Sequence, residues 1–319
     1  MKNLLHSATA NILPFLLQTQ KKQHVSILTY HRVLPEVDYM RPLEPTASDF
    51  EWQMELLSQH FNPLPLSDAL AMLEYGELPD RSVCVTFDDG YANNEEIALP
   101  ILKQFDIPAT VFVATDFLNG GRMWNDTVIE VLRVIEGGTL DLTGIGLDIY
   151  SIGEIEERRR TAGTIIREIK HWPPSKRAAV VASMEDMVGV LPVDMMMSDD
   201  QVRSLKNNGV EIGAHTKSHP ILSTLDLDLS RQEVVESKQF LESIIGDEVR
   251  YFAYPNGRPG IDYRTEHRDI VEIAGFEAAV STNWGVVSPL SDKWQLPRFT
   301  PWDNNPLRFM IRLLLNFRN

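Results

Sequence analysis

The stretch VCVTFDDGYANN, from Val83 to Asn94, runs a short β-branched segment into two adjacent carboxylates, Asp88 and Asp89, then a glycine and an aromatic. This pattern predicts a strand whose C-terminal end carries charge. Two carboxylates side by side at the end of an apolar strand repel each other and are poorly solvated, so their placement calls for a chemical reason. Outward from this point the same rhythm repeats. HVSILTYHRV reads as a strand ending near His31, TASDFEWQMELLSQHF as a helix opened by a Ser48–Glu51 capping box, and PATVFVAT as a strand. NEEIALPILKQF reads as a helix kinked at Pro100. SDDQVRSLKNNG predicts a helix capped by Ser198 and Gln201, followed by the strand VEIGAH. Ser230 and Glu233 show the capping spacing before a helix and the strand RYFAY, and TEHRDIVEIAG with FEAAVST gives one more pair. Short strands alternating with helices predict an α/β fold with parallel strands.

The rhythm breaks between about 124 and 197, where EIEERRR, REIK and Pro173-Pro174 predict exposed helices inserted into the cycle. The chain therefore reads as an N-terminal amphipathic segment over 1–22 and a single domain over 23–319, with an insertion at about 124–197. At 319 residues and 43% hydrophobic composition it can bury a sizeable core. A formal charge of −15 argues against a nucleic-acid partner, which needs clustered Lys and Arg to displace counterions. The single cysteine, Cys84, excludes an intrachain disulfide and reads as a buried structural thiol. No stretch approaches the roughly 18 to 20 apolar residues of a membrane span.

NILPFLLQTQKK and PLRFMIRLLLNFRN are amphipathic and read as terminal helices packed on the domain, with docking on an anionic membrane face as the alternative. The N-terminus shows no clear cleavage site of the secretory kind, which gives the expectation of a cytoplasmic protein, peripheral to the inner membrane face if those segments dock. Met195-Met196-Met197 reads as core filler, with a soft substrate-facing patch as the alternative.

Four predicted strand ends carry unusual polar residues: His31 in TYHRV, Asp88 and Asp89 in TFDDGY, His215 and His219 in AHTKSHP, and the YPNG turn after RYFA. In an α/β barrel such ends converge on one face. Because VEIGA reads as strand and Pro220 follows His219, HTKSHP spans a strand end and a tight turn. Two imidazoles and one carboxylate make a His-His-Asp set with open positions, the donor set of a catalytic zinc or similar divalent ion. Asp89 is then the natural ligand and Asp88 the natural general base. The bland readings are a plain Asp-Asp-Gly turn and two unrelated surface histidines; the coincidence of both motifs at strand ends favours the chemical one.

TFDDGY, HTKSHP and FAYPNG, in this order, resemble the metal-binding and active-site motifs of the polysaccharide deacetylases, the carbohydrate esterase family 4 or NodB-homology enzymes, over about Val25 to Trp302. The resemblance implies a distorted (β/α)7 barrel and metal-dependent hydrolysis of N-acetyl groups on amino sugars of a saccharide substrate. The ion would be Zn²⁺, or else Co²⁺, Ni²⁺ or Mn²⁺. Carried over by position, Asp88 is the base, and Asp89, His215 and His219 are the ligands. The sequence departs from the family pattern in two places. Ala253 stands where many members have an arginine that orients the catalytic aspartate, and Arg298 in QLPRF is read as its replacement, with a plain strand-end salt bridge as the alternative. In the same motif Asn256 replaces the usual tyrosine; the implied role is played by the backbone N–H as an oxyanion donor, so it survives the exchange. The C-terminal histidine motif is also missing, since no histidine follows His267. A circularly permuted subgroup, similar to the biofilm poly-N-acetylglucosamine deacetylases, uses a histidine on the first strand, which implies His31 as general acid and leaves Arg32 unassigned.

Tyr91, Trp124, Trp284 and Trp302 lie near the motif loops, where aromatic rings can stack on sugars, although core packing is their commoner fate. The insertion reads as a lid or a groove wall that selects the saccharide. The expected function is removal of N-acetyl groups from a polysaccharide or glycan precursor in exopolysaccharide or cell-envelope glycan biosynthesis. The alternatives are a metal-dependent amidase acting on a non-saccharide amide and an inactive saccharide-binding protein on the same fold.

Overall fold

The computed structural model describes residues 23–318. The amphipathic segment read over 1–22 lies outside them. The strands are β1 (Val25–Tyr30), β2 (Asn62–Pro63), β3 (Ser82–Phe87), β4 (Ala109–Val113), β5 (Thr139–Asp141), β6 (Ile149–Ser151), β7 (Glu211–Ala214), β8 (Tyr251–Ala253), β9 (Ala278–Trp284) and β10 (Leu296–Arg298). Seven pair in parallel in the order β1-β3-β4-β7-β8-β9-β10, and short β2 adds to β3. Phe299, just past β10, closes the ring on β1: its N–H donates to the Ile27 carbonyl at 2.7 Å and its carbonyl accepts from Thr29 N–H at 3.0 Å. The result has the parallel strands that the strand–helix alternation predicts, arranged as the distorted (β/α)7 barrel that the resemblance implies. Both β1 and β3 are buried along their full length, which is why they read as apolar runs and not as alternating ones.

Helices pack outside the barrel. Ala47–His60 turns Phe50, Met54 and Leu57 inward, and the last helix, Pro306–Asn316, buries Phe309, Met310, Leu313 and Leu314 in the same core. The apolar face of the C-terminal segment is thus taken up within the fold. Among the described residues no helix is long and apolar enough to cross a membrane. Cys84 is buried, as read.

Local details differ from the sequence reading in three places. The first helix is capped by Thr46 and Asp49, not by Ser48 and Glu51, because Ala47 N–H donates to the Leu34 carbonyl at 2.7 Å and fixes Thr46 as the extended residue. The helix Leu227–Ile245 starts at Asp226, whose carboxylate accepts from Leu229 N–H; Ser230 lies inside and donates back to the Asp226 carbonyl at 2.8 Å. Near Pro100 a π turn, Asn94–Ala98, runs into the helix Leu99–Gln104, so the proline sits in that helix's first turn, where a missing N–H is tolerated. Ser198 and Gln201 do form the predicted capping box.

The segment expected as inserted helices contains three, Trp124–Val134, Ile155–Ile169 and Pro174–Glu185, and also an antiparallel hairpin of β5 and β6. These pack around an apolar cluster of their own that includes Val128, Val131, Ile165 and Met184. The three methionines at its C-terminal end are buried: Met197 joins the main core, while Met196 packs on Tyr91 and Met123.

Candidate active site

Past the C-terminal ends of β3, β7 and β8 the chain leaves regular geometry. Asp89 (φ 77°), Thr216 (φ 63°), His219 (φ 52°) and Asn256 (φ 60°) all occupy left-handed backbone, which a β-branched residue such as Thr216 seldom adopts. Such strain persists only where surrounding bonds over-determine it, and they do here. The Asp-Asp-Gly turn is held by Ala114 N–H on the Asp89 carbonyl (3.2 Å) and Met197 N–H on the Gly90 carbonyl (3.0 Å). Gly90 is required: at φ 89° a Cβ would also stand 3.0 Å from Val113 Cγ1. In HTKSHP, Glu233, expected as part of a helix cap, instead accepts from Lys217 N–H (2.9 Å), Ser218 N–H (2.7 Å) and the Ser218 hydroxyl (2.6 Å), fixing the loop between the histidines.

These loops bring His215 Nε2 and His219 Nε2 each to 3.4 Å from the same oxygen, Asp89 Oδ1. The donor atoms of all three residues lie within 4.8 Å of one another. His215 Nδ1 lies 2.7 Å from the Ala253 carbonyl, which fixes the proton on Nδ1 and leaves the Nε2 lone pair facing Asp89. This tautomer, a buried carboxylate and a second imidazole fit a divalent cation. Burial alone would raise the Asp89 carboxyl, but the adjacent His215 and the other imidazoles around it hold it well below the usual carboxylate range. Burial drives His219 down to about 3, so its ring is neutral, as a metal ligand must be.

Asp88 is treated differently. Its N–H donates to the Tyr30 carbonyl at 2.9 Å, and both its oxygens accept from Arg298, at 2.7 Å from Nη1 and 2.6 Å from Nη2. Arg298 is 1% exposed and is itself oriented by Nε donating to the Ser281 carbonyl at 2.8 Å. Burial raises the Asp88 carboxyl, but the Arg298 charge and fork outweigh it and lower it, so Asp88 is ionised at neutral pH. Each of its oxygens keeps a further lone-pair direction.

A cleft of about 410 Å³ opens over this floor and is lined by His31, Asp88, Asp89, His215, His219 and Asn256. His31 is exposed to it, and its carbonyl accepts from Asn94 Nδ2 at 2.9 Å. Arg298 reaches the cleft only through Asp88. The Asn256 carbonyl accepts from Thr282 Oγ1 at 2.7 Å, and within the described residues its N–H makes no hydrogen bond.

The insertion walls the opposite side with Trp124, Asn125, Ile166 and Lys170. Trp124 carries the Arg177 guanidinium 4.7 Å from its ring centre. Of the other aromatics singled out in sequence, Tyr91 is buried with its hydroxyl on Asp126 at 2.8 Å, and Trp284 and Trp302 stand off the cleft around Arg312. Sequence reasoning missed Glu44 and Lys170, which line the cleft without any motif around them. Burial raises the Glu44 carboxyl, and burial lowers the Lys170 amine.

A parallel barrel with a His-His-Asp donor set and an arginine-clamped carboxylate, both at strand C-terminal ends, defines a barrel hydrolase of the metal-assisted type. The chain belongs to the polysaccharide deacetylase family, whose model matches residues 75–139 and 167–279, more than half of its length. The unmatched gap falls on the hairpin and most of the helix Ile155–Ile169. As a member of that family the chain is an N-deacetylase of the hydrolase class acting on polysaccharide. A poly-β-1,6-N-acetyl-D-glucosamine N-deacetylase of Staphylococcus epidermidis is 24% identical over 220 residues, 60% of this chain and 72% of the relative. Among solved structures, the Streptococcus pyogenes deacetylase PplD in complex with acetate superposes with a TM-score of 0.62 at 20% identity, covering 91% of this chain and 98% of that one. IcaB from Ammonifex degensii superposes with a TM-score of 0.59 at 19% identity, covering 94% and 99%.

Proposed function

We propose that this cleft removes N-acetyl groups from amino-sugar residues of an exopolysaccharide or envelope glycan, with a divalent cation, zinc first, held by Asp89, His215 and His219. One observation carries the reading: two adjacent carboxylates have separate partners, Asp89 facing the Nε2 atoms of two imidazoles and Asp88 locked in the Arg298 fork. A cation bound there would polarise the acetamide carbonyl and lower the pKa of a bound water.

The chain's own groups do the rest. Asp88, oriented by Arg298 and ionised, accepts the proton of the attacking water. The Asn256 N–H donates to the oxyanion of the tetrahedral species. His31, at the solvent side of the cleft, donates a proton to the departing amine, so that acetate and a free amino sugar result. Trp124 offers an apolar face to the sugar ring. The test is acetate release from N-acetylglucosamine oligosaccharides by zinc-loaded protein, with Asp88→Asn as control; a substrate screen that finds turnover only on non-saccharide amides would replace this reading with the amidase one.

A further inference from the structure

Asp126 lies in the first turn of the inserted helix Trp124–Val134, where an acidic residue ordinarily faces water, yet it is 1% exposed. Its Oδ1 accepts from Arg41 Nη2 at 2.7 Å and from Arg32 Nη1 at 3.3 Å. Its Oδ2 accepts from the Tyr91 hydroxyl at 2.8 Å. Arg32 directly follows His31, and its guanidinium sits 4.4 Å from the centre of the Tyr91 ring. Arg41 also binds Glu130 at 2.6 Å, and all four charged groups, Arg32, Arg41, Asp126 and Glu130, are buried.

A buried ion cluster of this kind contributes little net stability over well-packed apolar side chains, because each charge loses its hydration. What the cluster does supply is relative position. The segment 32–41, which leaves the barrel at His31, is pinned at both ends to one carboxylate oxygen. The other oxygen of that carboxylate is tied through Tyr91 to the loop of Asp88 and Asp89. Asp126 therefore registers the loop of the acid against the loop of the base and the metal ligand, and it does so from the insertion.

We propose that Asp126 is a positioning residue that sets His31 for proton donation, acting through Arg32 and Arg41, and that the insertion is in this way part of the catalytic apparatus. The inference rests on the reading of His31 as general acid. The experiment is a double-mutant cycle of Asp126→Asn with His31→Ala on the full, zinc-loaded chain, reading kcat, KM, metal content and thermal midpoint. Asp126→Asn is expected to lower kcat by about ten- to a hundredfold, the cost of a misplacement near 1 Å, with KM and metal content unchanged. In the His31→Ala background the same substitution is expected to cost less than about twofold, because the group it positions is gone. Equal losses in both backgrounds would overturn the positioning role while leaving His31 as acid. An unchanged kcat in His31→Ala alone would remove the acid reading and this inference with it. Should Asp126→Asn fail to fold, Arg32→Lys, which keeps the charge but loses the planar fork, enters the same cycle with the same two outcomes.

Discussion

Replacing Arg298 with methionine leaves the Asp88 carboxylate without partners at a site where it is 3% exposed. The pair is bidentate, at 2.7 and 2.6 Å, and Arg298 also binds the Ser281 carbonyl and the Thr86 hydroxyl. Breaking a buried pair from one side costs about 3–5 kcal/mol, since an uncompensated charge stays behind. Asp88→Asn strands the guanidinium instead, and because the amide oxygen still accepts one hydrogen bond, its cost falls at the lower end of that range, about 3 kcal/mol. Removing both charges together abolishes the penalty, so Asp88→Asn/Arg298→Met is expected within about 2 kcal/mol of the parent, giving a coupling of at least about 4 kcal/mol. Equilibrium urea unfolding at neutral pH and saturating zinc, with metal content checked in each variant, measures all four corners. Additive single losses, or a loss under about 1 kcal/mol for Arg298→Met, would refute the clamp as described. In activity, both single variants are expected to lose turnover, one by losing the orientation of the base and the other by losing the base.

His219→Ala removes one of three donors and is expected to weaken metal binding by more than the ten- to hundredfold that losing an outer partner of a ligand costs; unchanged metal content after dialysis would remove His219 from the set. Asp38 offers a test by pH. Burial alone would raise its carboxyl, but hydrogen bonds from Arg133 and the Met40 N–H, with the charges of Arg133 and Arg41, lower it from 3.8 to about 2. An unfolded chain protonates this group near 3.8, so its stabilising contribution is complete above about pH 4 and is lost as pH falls to about 2. Asp38→Asn should therefore be less stable than the parent at pH 7, with the gap closing between pH 4 and 2. The gap should be small and salt-sensitive, because this ion pair is partly exposed to water; a gap that does not change with pH would show that the pair does not hold.

The parts of the site that were legible in sequence are those written contiguously. TFDDGY and HTKSHP each place their chemistry within a few residues at a strand end, and the barrel then does the converging. Arg298 was accessible because an arginine was missing at Ala253 and another stood at a later strand. Asp126 was not legible, since WNDTVIE looks like any helix opening with an acidic first turn, and its burial arises from three residues 35 to 94 positions away. Glu44 and Lys170 were hidden for the same reason. The hairpin of β5 and β6 escaped because three-residue strands are too short to show a period of two. The Thr46 cap was decided by a tertiary bond to Leu34, as TASDFE offers two equally spaced capping boxes.

Two neighbouring carboxylates divide the labour at this site, and one measurement tests that division directly. Purified protein and its Asp88→Asn variant, each loaded with zinc and assayed for metal content, are incubated with an N-acetylglucosamine oligosaccharide while acetate is quantified. The predicted result is metal in both proteins, with acetate released only by the parent. Acetate release from both, or metal lost with Asp88, would contradict the assignment of base and ligand at that strand end.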